Sequence, residues 1–226
     1  MRNILVINPN SSRATTSMMV NIAADEAPAG VAVSGLTAQR APLMIVNQQE
    51  LDAAALEVEA TWRSAQAEGW SGVIISAFGD PGVHLVRRTT DLPVVGICES
   101  SMLEAAEGGR RFGIATVTPD LADAINGKAR ELGLAELFTG IRLTSGDPRA
   151  LTADPQALDA ALAQAVRQCI EQDQAEAVII GGGPLGQAAL QLAPRFQVPV
   201  IAPISAAVRR LLRLMAPAPA SAMAQG

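Results

Sequence analysis

Three blocks of this chain occur twice, in the same order and at close spacing, and that duplication restricts the folds open to it. Arg2-Asn3-Ile4-Leu5-Val6-Ile7-Asn8-Pro9 is echoed by Arg111-Phe112-Gly113-Ile114-Ala115-Thr116-Val117-Thr118-Pro119. Val73-Ile74-Ile75-Ser76-Ala77 is echoed by Val178-Ile179-Ile180-Gly181-Gly182, and Leu92-Pro93-Val94-Val95-Gly96 by Val198-Pro199-Val200-Ile201-Ala202. Each block is built on an apolar run rich in Val and Ile, and residues 31–36 and 141–143 add further runs. Most are apolar throughout instead of alternating, the pattern of parallel strands covered on both faces. Between them, residues 49–67 and 155–172 carry apolar positions at helical spacing. The expectation is an α/β fold of two pseudo-symmetric lobes, each a parallel sheet flanked by helices, with right-handed crossovers. Ligands of such sheets sit beyond the carboxyl ends of the strands, so two facing ends would enclose a cleft. Residues 1–97 plus about 204–226 are assigned to the first lobe and 98–203 to the second, with a flexible Ala- and Pro-rich tail at about 217–226.

Composition excludes several partners. Of the 226 residues 49% are hydrophobic and 17% charged, a globular balance, and the net charge of −5 comes without a Lys/Arg-rich stripe. Nucleic acid and anionic membranes are therefore not expected as partners. Tyrosine is absent and aromatics reach only 3%, too few for base-stacking platforms. The opening apolar run is short and lacks a cleavage pattern, so a cytoplasmic location is expected. Two cysteines, Cys98 and Cys169, make neither a disulfide framework nor a metal cluster.

Four strand ends carry the candidate chemistry. Asn8-Pro9-Asn10-Ser11-Ser12 leads into a helix near Ala14; a serine or asparagine there caps the helix, or Asn10 and Ser11 meet a carboxylate or imide oxygen. Ser76-Ala77-Phe78-Gly79-Asp80-Pro81-Gly82 offers backbone amides around Gly79, while Asp80-Pro81 reads as an ordinary N-cap and first-turn pair. His84, the sole histidine, lies further along and reads as a packing residue. In Gly96-Ile97-Cys98-Glu99-Ser100-Ser101, the segment Ser101–Glu104 fits a capping box, which leaves Cys98 and Glu99 on the turn. A thiol at a helix start gains thiolate character, although a small buried cysteine is the plainer alternative. Gly181-Gly182-Gly183-Pro184 permits close backbone approach but has neither dinucleotide nor P-loop spacing. Residues 41–50 are placed over the cleft, with Ile45 or Asn47 touching ligand.

Together these loops resemble the hydantoin and allantoin racemases of the aspartate/glutamate racemase superfamily. The likeness rests on Val6-Ile7-Asn8-Pro9-Asn10-Ser11-Ser12, Phe78-Gly79-Asp80-Pro81-Gly82, Val94-Val95-Gly96-Ile97 followed by Glu99, and Arg110-Arg111-Phe112-Gly113-Ile114-Ala115-Thr116. It covers nearly the whole chain except the tail. The resemblance implies a small-molecule substrate, no organic cofactor, no metal and a homo-oligomer. It also implies a cysteine before the Phe of the first-lobe turn and another in the matching second-lobe turn, because inversion beside a carbonyl needs acid and base on opposite faces. Here those positions are Ala77 and Gly182, which cannot exchange a proton. The expected substrate contacts are Asn10, Ser11, Ser76, Ala77, Phe78, Gly79, Gly182, Gly183 and Pro184, and the candidate catalytic groups are Cys98, Glu99 and Asp80. Three readings stay open: an isomerase with a non-standard acid/base, a lyase or decarboxylase using the same enolate pocket, and a non-catalytic ligand-binding homologue.

Overall fold

A computed structural model describes residues 2–216; the tail assigned to about 217–226 lies outside the described residues. In chain order the elements are β1 (Arg2–Asn8), α1 (Arg13–Glu26), β2 (Val31–Thr37), α2 (Gln48–Ala65), β3 (Gly72–Ile75), α3 (Val83–Arg87), β4 (Val94–Gly96) and α4 (Ile97–Ala105). The second half runs β5 (Phe112–Thr116), α5 (Ala122–Glu131), β6 (Phe138–Leu143), α6 (Pro148–Ala153), α7 (Pro155–Glu171), β7 (Ala177–Ile180), α8 (Gly186–Leu192), β8 (Val200–Ile201) and α9 (Pro203–Met215). The strands form two parallel sheets of the same topology, β2-β1-β3-β4 and β6-β5-β7-β8.

Burial on both faces explains the unbroken apolar runs. Ile4 and Val6 of β1, with Ile114 of β5 and Ile179 of β7, point into one core shared by the two sheets. Leu5 and Ile7 point the other way, against Val58 and Trp62 of α2. Val178 and Ile180 likewise face Leu162 and Val166 of α7. The inner strands β1, β3, β5 and β7 are thus covered by helices outside and by the shared core inside, whereas the edge strands β2 and β6 are only partly buried. Helix α4 leaves the first sheet and packs on β7 and β8, while α9 leaves the second and packs on β3 and β4. The crossing helices tie the halves together.

Equivalent hydrogen bonds give the register of the repeat. Ser76 N–H donates to Ile7 O at 3.0 Å, as Gly181 N–H does to Ala115 O at 2.8 Å. Ala38 N–H reaches Asn8 O at 2.9 Å, as Thr144 N–H reaches Thr116 O at 3.0 Å. Asn8 is therefore equivalent to Thr116, Asn10 to Thr118 and Ala77 to Gly182. This corrects the first sequence echo, which matched the prolines Pro9 and Pro119; the strand hydrogen bonds pair Pro9 with Val117 instead. The other two echoes keep their register, with Val73 N–H on Pro93 O and Val178 N–H on Pro199 O, both at 2.9 Å.

Two local readings change. The helix after β4 starts at Ile97, its N-cap is Gly96, and Glu99 Oε1 accepts from the Gly96 amide at 3.3 Å. Ser101 is therefore a helix-interior residue whose hydroxyl donates to Ile97 O at 2.7 Å, not a cap. The apolar run beginning at Val94 carried straight into the helix, which hid its true start. His84 is not a packing residue: its side chain is exposed and meets Glu131 Oε1 at 3.1 Å.

Candidate active site

The carboxyl ends of β1, β3, β5 and β7 meet at a small chamber with a cavity volume of about 30 Å³. The first half contributes Asn10, Ser76, Ala77 and Phe78 to its wall. The second contributes Val117, Thr118, Leu121 and the turn Gly181–Leu185. The halves touch directly here. A Cβ on Gly183 would lie 2.4 Å from Ser76 O, and one on Gly181 would lie 3.1 Å from the Phe78 ring. Only glycine permits that approach.

Polar groups on the wall have defined orientations. Asn10 Oδ1 accepts from Asn8 Nδ2 and from the Ser12 amide, both at 2.9 Å. That leaves the Asn10 carboxamide N–H groups without a protein acceptor among the described residues. The Ser76 hydroxyl is used internally, donating to Ile7 O at 2.9 Å. Thr116 Oγ1 donates to Gly181 O at 2.6 Å and lies 3.3 Å from Thr118 Oγ1, so the Thr118 hydroxyl can turn to accept or donate. The backbone N–H groups of Ala77, Phe78, Gly182 and Gly183 also find no acceptor among the described residues. They form two equivalent pairs, one from each half, around the same space. Paired amides of this kind stabilise negative charge on a carbonyl oxygen.

The lid differs in part from expectation. Met44 and Ile45 line the chamber, whereas Asn47 caps α2 by accepting from Glu50 N–H at 2.9 Å. Glu50 Oε2 accepts from Val46 N–H at 2.7 Å, and its other oxygen lies 3.6 Å from the Arg149 guanidinium across the cleft.

Ser11 and Gly79 do not line the chamber. Ser11 is held to the lid by its amide on Pro42 O at 3.0 Å and faces a separate groove beside Arg13 and Thr16. Gly79, at φ +124°, packs on Leu51 behind the wall. Asp80, Cys98 and Glu99 do not line it either; they form a buried cluster behind the Phe78-Gly79 turn. Asp80, at φ +54°, does not cap its own helix. Its carboxylate accepts from Cys98 N–H at 2.8 Å and Glu99 N–H at 2.7 Å, so it caps α4. The carboxylate fills the space over Gly96, where a Cβ would lie 2.1 Å from Asp80 Cγ. Glu99 pairs with Arg87. The Cys98 thiol is not lowered as its helix-start position suggested. Burial, then the Asp80 charge, pushes it well above its ordinary value despite the Gly79 amide. Burial and the neighbouring Glu99 likewise push Asp80 up to about 7, opposed by the two α4 amides and by Lys128.

Sequence reasoning missed Thr118 and Leu121, and within residues 41–50 it named Ile45 but not Met44. The duplication marks Thr118 once Asn8 is aligned with Thr116, but nothing local singles out the others. Among the described residues no group of three or more His, Cys, Asp or Glu is arranged to hold a metal.

Two like sheets sharing a core, with a small amide-lined chamber where their carboxyl ends meet, define a pseudo-symmetric two-lobed α/β protein with a small-molecule site. The chain belongs to the Asp/Glu/hydantoin racemase family, whose model matches residues 4–211. It is 30% identical to the hydantoin racemase of Paenarthrobacter aurescens over 207 residues, 91% of this chain and 88% of that one. Identity to the hydantoin racemase of Pseudomonas sp. (strain NS671) is also 30%, over 91% of this chain and 83% of that one. Allantoin racemase from Klebsiella pneumoniae superposes with a TM-score of 0.89 at 27% identity, over 95% of this chain and 87% of that one. Unliganded arylmalonate decarboxylase shares the fold, with a TM-score of 0.61 at 20% identity, over 97% and 94% of the two chains. The racemase relatives support an isomerase.

Proposed function

We propose that this chain inverts the carbon next to a carbonyl in a small neutral cyclic amide, such as a 5-substituted hydantoin or allantoin, without an organic cofactor. The observation that carries the reading is the set of four unpartnered amides, Ala77 and Phe78 facing Gly182 and Gly183, at equivalent places in the two halves. An enolate oxygen formed between them gains hydrogen bonds that the neutral carbonyl uses less well, and such differential binding accelerates proton loss. The Asn10 N–H groups suit a ring carbonyl, and the Thr118 oxygen suits a ring N–H. Both groups are uncharged, which matches a neutral ring better than a carboxylate.

No ionisable side chain lines the chamber among the described residues. With Ala77 and Gly182 on its two sides, proton exchange takes place with solvent, and the non-standard acid/base is water. Asp80, Cys98 and Glu99 act from behind the wall instead of touching the substrate. The same observation favours a second reading, in which the ligand is held without turnover.

The experiment is to incubate one enantiomer of a 5-substituted hydantoin with the protein in deuterium oxide, following optical rotation and deuterium at the ring carbon. Protein-dependent exchange with loss of rotation supports the isomerase. Saturable binding in calorimetry with neither change supports the second reading, and no binding removes both. A cytoplasmic location and homo-oligomeric assembly belong to the same proposal. They rest on the composition and on the family resemblance; light scattering would test the assembly.

A further inference from the structure

The amides around the chamber are equivalent in the two halves, but the polar side chains beside them are not. Asn10 and Thr118 occupy equivalent places on the wall, each two residues beyond a buried partner that ends a strand, Asn8 of β1 and Thr116 of β5. What each offers a ligand follows from where its partner's protons go.

In the first half, backbone groups leave no choice. Asn8 Oδ1 accepts from the Asn10 amide at 3.1 Å, and Asn8 Nδ2 donates to Ser12 O, also at 3.1 Å. Held this way round, Asn8 Nδ2 also donates to Asn10 Oδ1 at 2.9 Å, and the Ser12 amide reaches the same oxygen at 2.9 Å. Turning the Asn10 carboxamide over would set its NH2 against two donors, a costly arrangement for a buried group. Asn10 therefore presents N–H groups to the chamber.

In the second half the polarity is reversed. The Thr116 hydroxyl has a single proton, and Gly181 O, which can only accept, takes it at 2.6 Å. The 3.3 Å contact between the Thr116 and Thr118 hydroxyls then has one direction open to it, with Thr118 donating. No other acceptor for the Thr118 proton is found among the described residues. Its lone pairs are left for the chamber.

We propose that Thr116 is a positioning residue that makes Thr118 a hydrogen-bond acceptor, so that the chamber selects a ring carrying a free N–H, with a carbonyl on Asn10 in the first half and the N–H on Thr118 in the second. A carboxylate, a lactone or an N-alkylated ring brings Thr118 no proton and binds less well. This rests on the function proposed above and narrows its substrate from cyclic amides in general to those with an unsubstituted ring nitrogen facing Thr118.

The test measures calorimetric binding of 5-methylhydantoin and of its 1-methyl and 3-methyl derivatives to the wild type, Thr116→Val, Thr116→Ser and Thr118→Val. Whichever ring N–H meets Thr118, one derivative lacks it. The wild type should bind that derivative about tenfold more weakly than the parent, roughly what one hydrogen bond contributes. Thr116→Val keeps the shape of the chamber but leaves the Thr118 proton without its partner. The parent then weakens, the derivative hardly changes, and the gap narrows to about threefold or less. Thr118→Val narrows it in the same way, and Thr116→Ser restores it; Thr116→Ala serves if the valine variant does not fold. A gap due only to the bulk of the methyl group would be the same in every variant, and that result overturns the proposal. So does a wild type with no gap, or a serine variant that fails to restore one. Binding that shifts as described without turnover removes the reaction and keeps the Thr116 role. Turnover with an unmoved gap does the reverse, and a wild type that binds no hydantoin overturns both.

Discussion

Replacing Gly183 by alanine presses on the point where the two halves meet. The added Cβ would sit 2.4 Å from Ser76 O and 3.2 Å from Met19 Sδ. The methionine can turn aside, but the carbonyl cannot easily retreat. Ser76 is pinned to β1 through its amide and its hydroxyl, both on Ile7 O at 3.0 and 2.9 Å. Reaching an ordinary contact requires the strand end and the Gly183 turn to separate by nearly ~1 Å, and overpacking of this kind costs about 1–3 kcal/mol. For a chain of this size that lowers Tm by roughly 2–12 °C. The same separation moves the Gly182 and Gly183 amides away from Ala77 and Phe78, so turnover should fall by roughly 100-fold, more than the stability loss would suggest. Gly127→Ala is the control. It lies in α5 with nothing within 4 Å of the added carbon, and should raise stability by about 0.5–1 kcal/mol. Thermal unfolding and hydantoin turnover, measured side by side, decide the matter. A Gly183→Ala protein with unchanged Tm and turnover would refute the claimed contact and the chamber built on it.

Asn10→Ala removes the free carboxamide donor and should reduce kcat by about 10²–10³, measured by polarimetry, with the fold retained. Ala77→Cys combined with Gly182→Cys places a thiol on each side of the chamber and should speed deuterium exchange by about 10²–10⁴; Leu185, 3.0 Å from the new Cβ at residue 182, must shift to admit it. Stability should fall as pH rises between about 4 and 7, because Asp80 moves from an ordinary 3.8 to about 7 on folding and the folded state holds its proton more tightly. That contribution is fully present below the unfolded value and lost through the folded one, a change on the order of 4 kcal/mol, and chemical denaturation in Asp80→Asn should lack it. Leu121→Ala opens the apolar wall and should improve kcat/KM for hydantoins with bulkier ring substituents, read in a substituent series.

Much of the fold was legible because the duplicated apolar runs carry their own signal. Strands buried on both faces cannot alternate, and the three echoes marked three strands of each sheet before any contact was known, the edge strands β2 and β6 coming from separate apolar runs. The chamber-lining glycines were legible for a related reason, since three in succession after a buried strand have few uses besides close approach. What stayed hidden depended on contacts across the halves. Asp80 before proline looks like a local cap, and only the α4 amides packed against it show that it serves another helix. Cys98 at a helix start looks activated until its burial beneath Asp80 is known. Ser11 sits beside Asn10 in sequence, yet the turn after β1 aims it into a different groove.

A structure of the protein soaked with a neutral 5-substituted hydantoin tests the central claim most directly. The account requires the ring between Ala77 and Gly182, a carbonyl oxygen within hydrogen-bond distance of the Ala77–Phe78 or Gly182–Gly183 amides, and a second polar atom on Asn10 or Thr118. A ring bound only in the groove beside Ser11 and Arg13, with the chamber unchanged, would contradict it.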